Sequence, residues 1–173
     1  MEQVVLVASD GTAVGTASKA LVHTLDTPLH LAFSCYLFDG SGRLLVTRRA
    51  LGKVTWPGVW TNSFCGHPSP GEEPATAVHR RVRQELGIPL RDLELVLPDF
   101  SYRAVDTTGI VENELCPVFT AVIDDDPRPD PYEVIDWAWT RPADLADSVA
   151  RTPFAFSPWL ALQLPLLLAA RGD

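Results

Sequence analysis

Lysine occurs only twice, at Lys19 and Lys53, methionine once, and cysteine three times, at Cys35, Cys65 and Cys116. Three thiols, an odd and sparse number, exclude a disulfide framework. Lys and Arg together number 14 against 22 Asp and Glu, a net charge of −8. That balance excludes a broad nucleic-acid surface or a basic membrane-binding face, so an anionic ligand has to be met by a local cluster of cations or by a metal. No cationic segment leads into an apolar one at residues 1–5, and no secretory signal is expected. The one long apolar run, residues 159–170, is interrupted by Gln163 and Pro165 and falls short of the ~20 residues a membrane span needs. A cytoplasmic protein with no nucleic-acid and no membrane partner is the expectation. What is present is ordinary for a packed globule: 173 residues, 46% hydrophobic and 21% charged, enough for one domain.

Neither internal repeats nor low-complexity tracts interrupt the chain. Strands are expected at 4–7 and near Val14, followed by a brief helix over 18–22. The clearest hairpin runs from 30–38 through Asp39-Gly40-Ser41-Gly42 into 43–48, and a strand over 59–65 follows the Trp56-Pro57-Gly58 loop. Residues 74–86 read as the best helix, with proline in its first turn, Gly87 as a left-handed stop and Pro89 beyond. Further strands are expected at 93–97, 100–105, 110–122 and 133–140, with 124–131 an exposed connection. A helix over 142–149 and a last one from about 158, kinked at Pro165, complete the chain. Strands with interspersed helices indicate an α+β fold, a mixed β-sheet sandwich flanked by helices in a single compact domain.

The helix at 74–86 carries an apolar stripe of Ala75, Val78, Val82 and Leu86. At ~100° per residue, Glu85 lies only ~20° around from Val78 and so faces inward. Burial and the negative end of the helix dipole both disfavour a carboxylate there, which calls for a facing cation. Arg81, four residues earlier, is one candidate partner. Of four histidines, His23, His30 and His67 stand beside turns or strand ends. Cys65 and His67 are two apart, and so are Glu112 and Glu114, which puts each pair on one side of an extended chain. Adjacent carboxylates on a half-buried face repel unless one is protonated or a metal lies between them. Three imidazoles with two carboxylates suit Mn²⁺, Zn²⁺ or Fe²⁺. Spacing alone leaves open whether these five residues meet, because a surface histidine or an edge-strand pair of glutamates has the same signature. Arg48, Arg49 and Lys53 cluster after the hairpin, as a phosphate clamp or as a solvated basic loop.

The run Gly66-x5-Glu72-x7-Arg80, continued by Glu85-Leu86-Gly87-Ile88, resembles the Nudix box of diphosphate-processing enzymes at about residues 66–88, but Arg81 and Gln84 stand where two further glutamates are expected. Taken with Thr47-Arg48-Arg49-Ala50, Trp56-Pro57-Gly58-Val59-Trp60-Thr61-Asn62-Ser63, Cys65-Gly66-His67-Pro68, Gly109-Ile110-Val111-Glu112-Asn113-Glu114 and Phe156-Ser157-Pro158-Trp159, the chain closely resembles the type 1 isopentenyl-diphosphate isomerase family. The resemblance implies a Nudix fold over 1–173 and a small isoprenoid diphosphate as ligand, with a monomeric protein expected. It implies one Mn²⁺ or Zn²⁺ at His23, His30, His67, Glu112 and Glu114, and a Mg²⁺ bound with the substrate diphosphate through Glu85. It also implies Cys65 and Glu114 as the catalytic pair, Tyr102 and Trp159 beside the reacting carbons, and Lys19, Arg49, Lys53 and Arg81 on the diphosphate. A Nudix-type diphosphate hydrolase is the alternative, disfavoured by Arg81 and Gln84. His79 matches no site.

Overall fold

Two chain segments, 30–38 and 111–122, alternate or run apolar for long enough to act as continuous strands, yet each breaks in the middle and contributes to two sheets. The computed structural model describes residues 2–172; Met1 and Asp173, the ends of the expected domain, lie outside them. The first segment becomes β3 (His30–Leu31) and β4 (Phe33–Phe38), the second β10 (Val111–Leu115) and β11 (Val118–Val122). The other elements are β1 (Gln3–Val7), β2 (Ala13–Ser18), β5 (Leu44–Arg49), β6 (Trp60–Thr61), β7 (Phe64–Gly66), β8 (Arg91–Leu97), β9 (Ser101–Val105), β12 (Val134–Thr140), α1 (Pro74–Leu86), α2 (Pro142–Arg151) and α3 (Pro158–Arg171). One sheet runs β2-β1-β3-β10-β9, the other β12-β5-β4-β11-β8, with β6 added to β5 and β7 to β4.

The broken segments run parallel on both sides of the break. Glu114 pairs with His30 in the first sheet and Phe119 with Cys35 in the second. At the bend the backbone stays bonded, Ala32 N donating to Leu115 O at 2.9 Å and Ser34 N to Pro117 O at 3.1 Å. Pro117 has no N–H to offer a ladder, which is why the single strand expected over 110–122 is two.

Strand β4 is buried along its whole length, as befits a central strand covered on both faces. Its odd positions, Phe33, Cys35 and Leu37, join Leu45, Phe64 and the α1 residues Ala77, Val78, Val82 and Leu86. Its even positions, Tyr36 and Phe38, join Leu44, Val46, Leu145, Val149, Leu160, Leu164 and Leu167 against α2 and α3. The period of two therefore divides one strand between two cores, each fully buried Leu or Phe contributing roughly 1.5–3 kcal/mol.

Three further expectations are corrected. Residues 18–22 form no helix: β2 extends to Ser18, Lys19 N bonds back to Glu2 O, and a turn follows. The strand expected over 59–65 is divided because Asn62 and Ser63 bond backbone groups with their side chains, Asn62 Nδ2 to Cys35 O and Phe64 O, Ser63 Oγ to Leu45 O. The connection 124–131 is not wholly exposed, since Pro127 is buried and Arg128 N and Asp130 N cap the last carbonyls of α1, Leu86 O and Glu85 O. Helix α1 has the expected bounds, with Gly87 at φ 65°, and α3 continues through Pro165 to Arg171. Among the described residues no helix is long and apolar enough to cross a membrane.

Helix α1 approaches β7 at Gly66, where a Cβ would lie 2.8 Å from Phe33 Cζ and 2.9 Å from Arg81 Cγ. Gly66→Ala is expected to cost about 1–3 kcal/mol through overpacking, read as a lower urea midpoint at unchanged slope.

Candidate active site

Pairing register puts the reactive groups together. Tyr102 of β9 stands directly opposite Glu114 of β10, His30 of β3 opposite Glu114 on the other side, and Cys65 of β7 opposite Ser34 of β4. Strands β7, β9 and β10 line a cavity of about 210 Å³. Cys65, Tyr102, Trp159, His23, His67, Glu112 and Glu114 border it, together with Lys19, Arg49, Lys53, Arg81, Glu85 and Glu133. Sequence positions 19 to 159 thus converge on one space.

Glu114 is 4% exposed and enclosed by donors. Its Oε1 lies 3.2 Å from His67 Nε2 and 3.6 Å from His30 Nε2, and its Oε2 lies 3.0 Å from the Tyr102 hydroxyl. Burial pushes the carboxyl up, but the two imidazoles outweigh it and hold Glu114 well below the usual carboxylate range. Glu112 behaves oppositely: burial and the adjacent Glu114 raise it to about 7. Tyr102 offers its hydroxyl to both carboxylates, at 2.7 Å and 3.0 Å. A phenol has one proton, so a proton on Glu112 completes the network.

Ligand atoms of His23, His30, His67 and Glu114 all lie within 4.8 Å of one another. Glu112 is not in that group, because its oxygens are taken up by Tyr102 and by the Thr55 hydroxyl. Burial leaves His23 Nε2, His30 Nε2 and His67 Nδ1 with no hydrogen-bond partner. Three unpartnered buried nitrogens beside an ionised carboxylate fit a divalent ion. His30 Nδ1 donates to Pro28 O at 2.9 Å, which turns the lone pair of Nε2 toward the group. Burial and the facing His67 lower His23 to about 4, so its ring is neutral as a ligand must be.

Cys65 Sγ contacts Ser34 Oγ at 3.4 Å and Asn62 Oδ1 at 3.3 Å. Burial pushes the thiol up to about 12, so the sulfur holds its proton at neutral pH. Asn62, buried completely, also accepts from Trp159 Nε1 at 3.0 Å and so ties thiol and indole together. The Trp159 ring is met by Trp56 edge-on at 5.6 Å, by Tyr102 at 5.8 Å and by the Arg49 guanidinium at 5.1 Å. Arg49 is itself anchored on Thr55 O and Trp56 O, with Trp56 in the left-handed region at φ 42°, a conformation that a bulky residue keeps only when its surroundings hold it there.

At the other end, Arg81 Nε donates to Glu85 Oε1 at 3.0 Å, and Glu133 bonds both Lys53 and Arg81. The partner of Glu85 in this structure is therefore Arg81, the candidate four residues earlier on the helix. Burial pushes Glu85 up while Arg81 opposes it. Lys19 borders the cavity and pairs with Glu2 at 2.7 Å, and His79 is solvent-exposed on α1.

Residues 28–160 match the NUDIX domain family. The isopentenyl-diphosphate Delta-isomerase of Leifsonia xyli is 63% identical over 99% of this chain and 94% of its own, and that of Clavibacter michiganensis 64% identical over 96% and 86%. The chain belongs to the isopentenyl-diphosphate Delta-isomerase family. Its fold is similar to a Deinococcus radiodurans crystal structure (TM-score 0.76, 20% identity, 96% and 99% of the two chains) and to a MutT protein of Methanosarcina mazei (TM-score 0.66, 17% identity, 87% and 100%). Within this family's Nudix-like loop and helix, Glu72 accepts from Arg80 Nε at 2.8 Å, Arg80 Nη2 at 2.7 Å and Ser69 N at 2.8 Å. Two motif residues here hold the loop to the helix.

Several site residues gave no sequence signal of their own. Thr55, Asn62 and Ser34 are small polar side chains whose burial is created by the fold. Glu133 follows an acid-rich connection and is indistinguishable from it in one dimension.

Arg80 and the Ser69 N–H hold Glu72 at about 2, below its ordinary 4.5. Its contribution is then present above pH ~4.5 and lost as the pH falls toward 2. Glu72→Gln is expected to lose on the order of 1 kcal/mol at pH 7, solvent screening included, with the difference from wild type vanishing near pH 2 in acid-unfolding curves.

Proposed function

We propose that the chain, read as one Nudix-type isomerase domain over 1–173, interconverts isopentenyl and dimethylallyl diphosphate by a 1,3-proton shift between Cys65 and Glu114. The observation that carries this reading is a half-buried thiol and a buried ionised carboxylate lining one cavity, with aromatic rings at that end and Lys53 and Arg81 at the other. Arg81 and Gln84, standing where a Nudix hydrolase has carboxylates, argue against diphosphate hydrolysis.

An isolated alkene is a very weak base, so protonating C4 needs a strong, dry acid, and removing a proton from C2 needs a base on the other side. In the forward direction the Glu114 carboxyl, assisted by the Tyr102 hydroxyl, gives its proton to C4. The tertiary cation at C3 then loses a C2 proton to the Cys65 sulfur. That turnover leaves a thiol and a carboxylate, which is the state that burial and the two imidazoles favour. It is also the starting state of the reverse reaction. Passage of the thiol proton to the Glu114 carboxylate, which restores the acid and leaves a thiolate as the base, completes the forward cycle. The Trp159 indole borders the cavity where the cation forms, and a desolvated cation-π contact is worth ~2 kcal/mol, about thirtyfold in rate.

We infer that His23, His30, His67 and Glu114 hold one Mn²⁺ or Zn²⁺, with Glu112 next to them, and that Glu85 holds a Mg²⁺ bound with the diphosphate. An ion at the first site supplies Lewis acidity that makes the Glu114 proton more acidic. Arg49, Lys53, Arg81 and Lys19 orient the diphosphate, whose remote binding energy keeps water from the reacting carbons.

Cys65→Ala and Glu114→Gln are each expected to lower turnover by about 10²–10⁴-fold with the far-UV circular dichroism unchanged. Wild-type protein given isopentenyl diphosphate and Mg²⁺ in D₂O should yield allylic product carrying deuterium; phosphate release instead would sink the isomerase reading. Chelation should abolish turnover, and adding back Mg²⁺ with Mn²⁺ or Zn²⁺ should restore it; full activity in metal-free buffer would contradict both metal sites.

A further inference from the structure

The diphosphate end of the cavity carries more negative charge than an anion site calls for. Lys53, Arg81, Glu85 and Glu133 meet there, two cations with two carboxylates. Glu133 Oε2 accepts from Lys53 Nζ, its Oε1 lies 3.3 Å from Arg81 Nη2, and Arg81 Nε donates to Glu85 at 3.0 Å. Over the whole lining, Lys19, Arg49, Lys53 and Arg81 stand against Glu85, Glu114 and Glu133, with Glu112 keeping its proton, so carboxylates already offset three of the four positive groups. The backbone holds Glu133 in place, its N bonded to Asp130 O at 2.9 Å and its O accepting from Ala50 N at 3.0 Å.

A diphosphate arriving alone must compete with Glu133 for Lys53 and Arg81 while approaching Glu85. One arriving with a divalent cation offers that charge to the carboxylates and its oxygens to the lysine and arginine, so every group is met by its opposite. We propose that Glu133 is a specificity-determining residue that selects the metal-complexed diphosphate over the free anion. The proposal rests on the diphosphate reading of this end of the cavity. Glu133 thereby sets the charge of the pocket without touching the reacting carbons.

Calorimetric titration of the full chain with inorganic pyrophosphate, with and without Mg²⁺, tests this. Wild type should bind at least about tenfold more tightly with Mg²⁺ than without it, and Glu133→Gln should narrow that ratio to about threefold or less by gaining affinity in the Mg²⁺-free arm. Glu133→Asp, which keeps the charge, should retain the wild-type ratio. An unchanged ratio in Glu133→Gln, or a ratio in Glu133→Asp that tracks the Gln variant, overturns the role of Glu133. Failure of wild type to bind pyrophosphate even with Mg²⁺ sinks the diphosphate reading itself, so the two failures are distinct.

Discussion

A carboxylate withdrawn from water must be met by donors or cations, and the arrangement around Glu114 is built to meet that demand. His30 and His67 face one oxygen and Tyr102 the other. His30 and Tyr102 reach Glu114 through backbone pairing: β3 and β9 flank β10, with both residues in register with Glu114. Because successive side chains alternate faces, a slip of one residue in either pairing would turn the imidazole or the phenol away. The same register brings Glu112 under Tyr102, so the two carboxylates titrate in opposite directions. One ionised and one proton-retaining acid, 2 residues apart on one strand, is a division of roles made by environment.

The break in both long segments makes this geometry possible. Had 30–38 and 111–122 each stayed in one sheet, His30 and Glu114 would continue the ladder that carries Phe33 and Phe119 into the α1 core. Division at Ala32 and at Cys116-Pro117 leaves the polar half of each segment in one sheet and the apolar half in the other. The reactive groups lie at the junction, where two cores supply a dry, close-packed surround and the cavity remains between the sheets. The far end of that cavity works by a different principle, balance of charge: its cations, Lys53 and Arg81, are already paired with the carboxylates of Glu85 and Glu133.

Much was legible in one dimension, for identifiable reasons. Helix α1 was readable to the residue because proline, an apolar stripe and a left-handed glycine all act locally. The inward aim of Glu85 followed from helical periodicity, and the shared face of Glu112 and Glu114 from strand alternation. Local patterns failed where partners lie far away: at Asn62 and Ser63, whose side chains replace ladder bonds using carbonyls of β4 and β5, and at 18–22, where Glu2 decides the backbone. The five candidate ligands were legible as residue types and spacings, but that His23, His30, His67 and Glu114 meet, while Thr55, 57 residues away in sequence, bonds the Glu112 carboxylate, was not.

Residue chemistry and spacing, by themselves, determined which groups can ionise, coordinate or donate, which helix face is apolar, and which family the motifs resemble, because each of these depends on neighbours within a few residues. Tertiary structure alone decided which groups meet: that three imidazoles converge on Glu114, that Asn62 joins Cys65 to Trp159, and that Glu133 sits between Lys53 and Arg81. Burial and proximity set the protonation state of each, and both are properties of the packed chain that no local stretch contains.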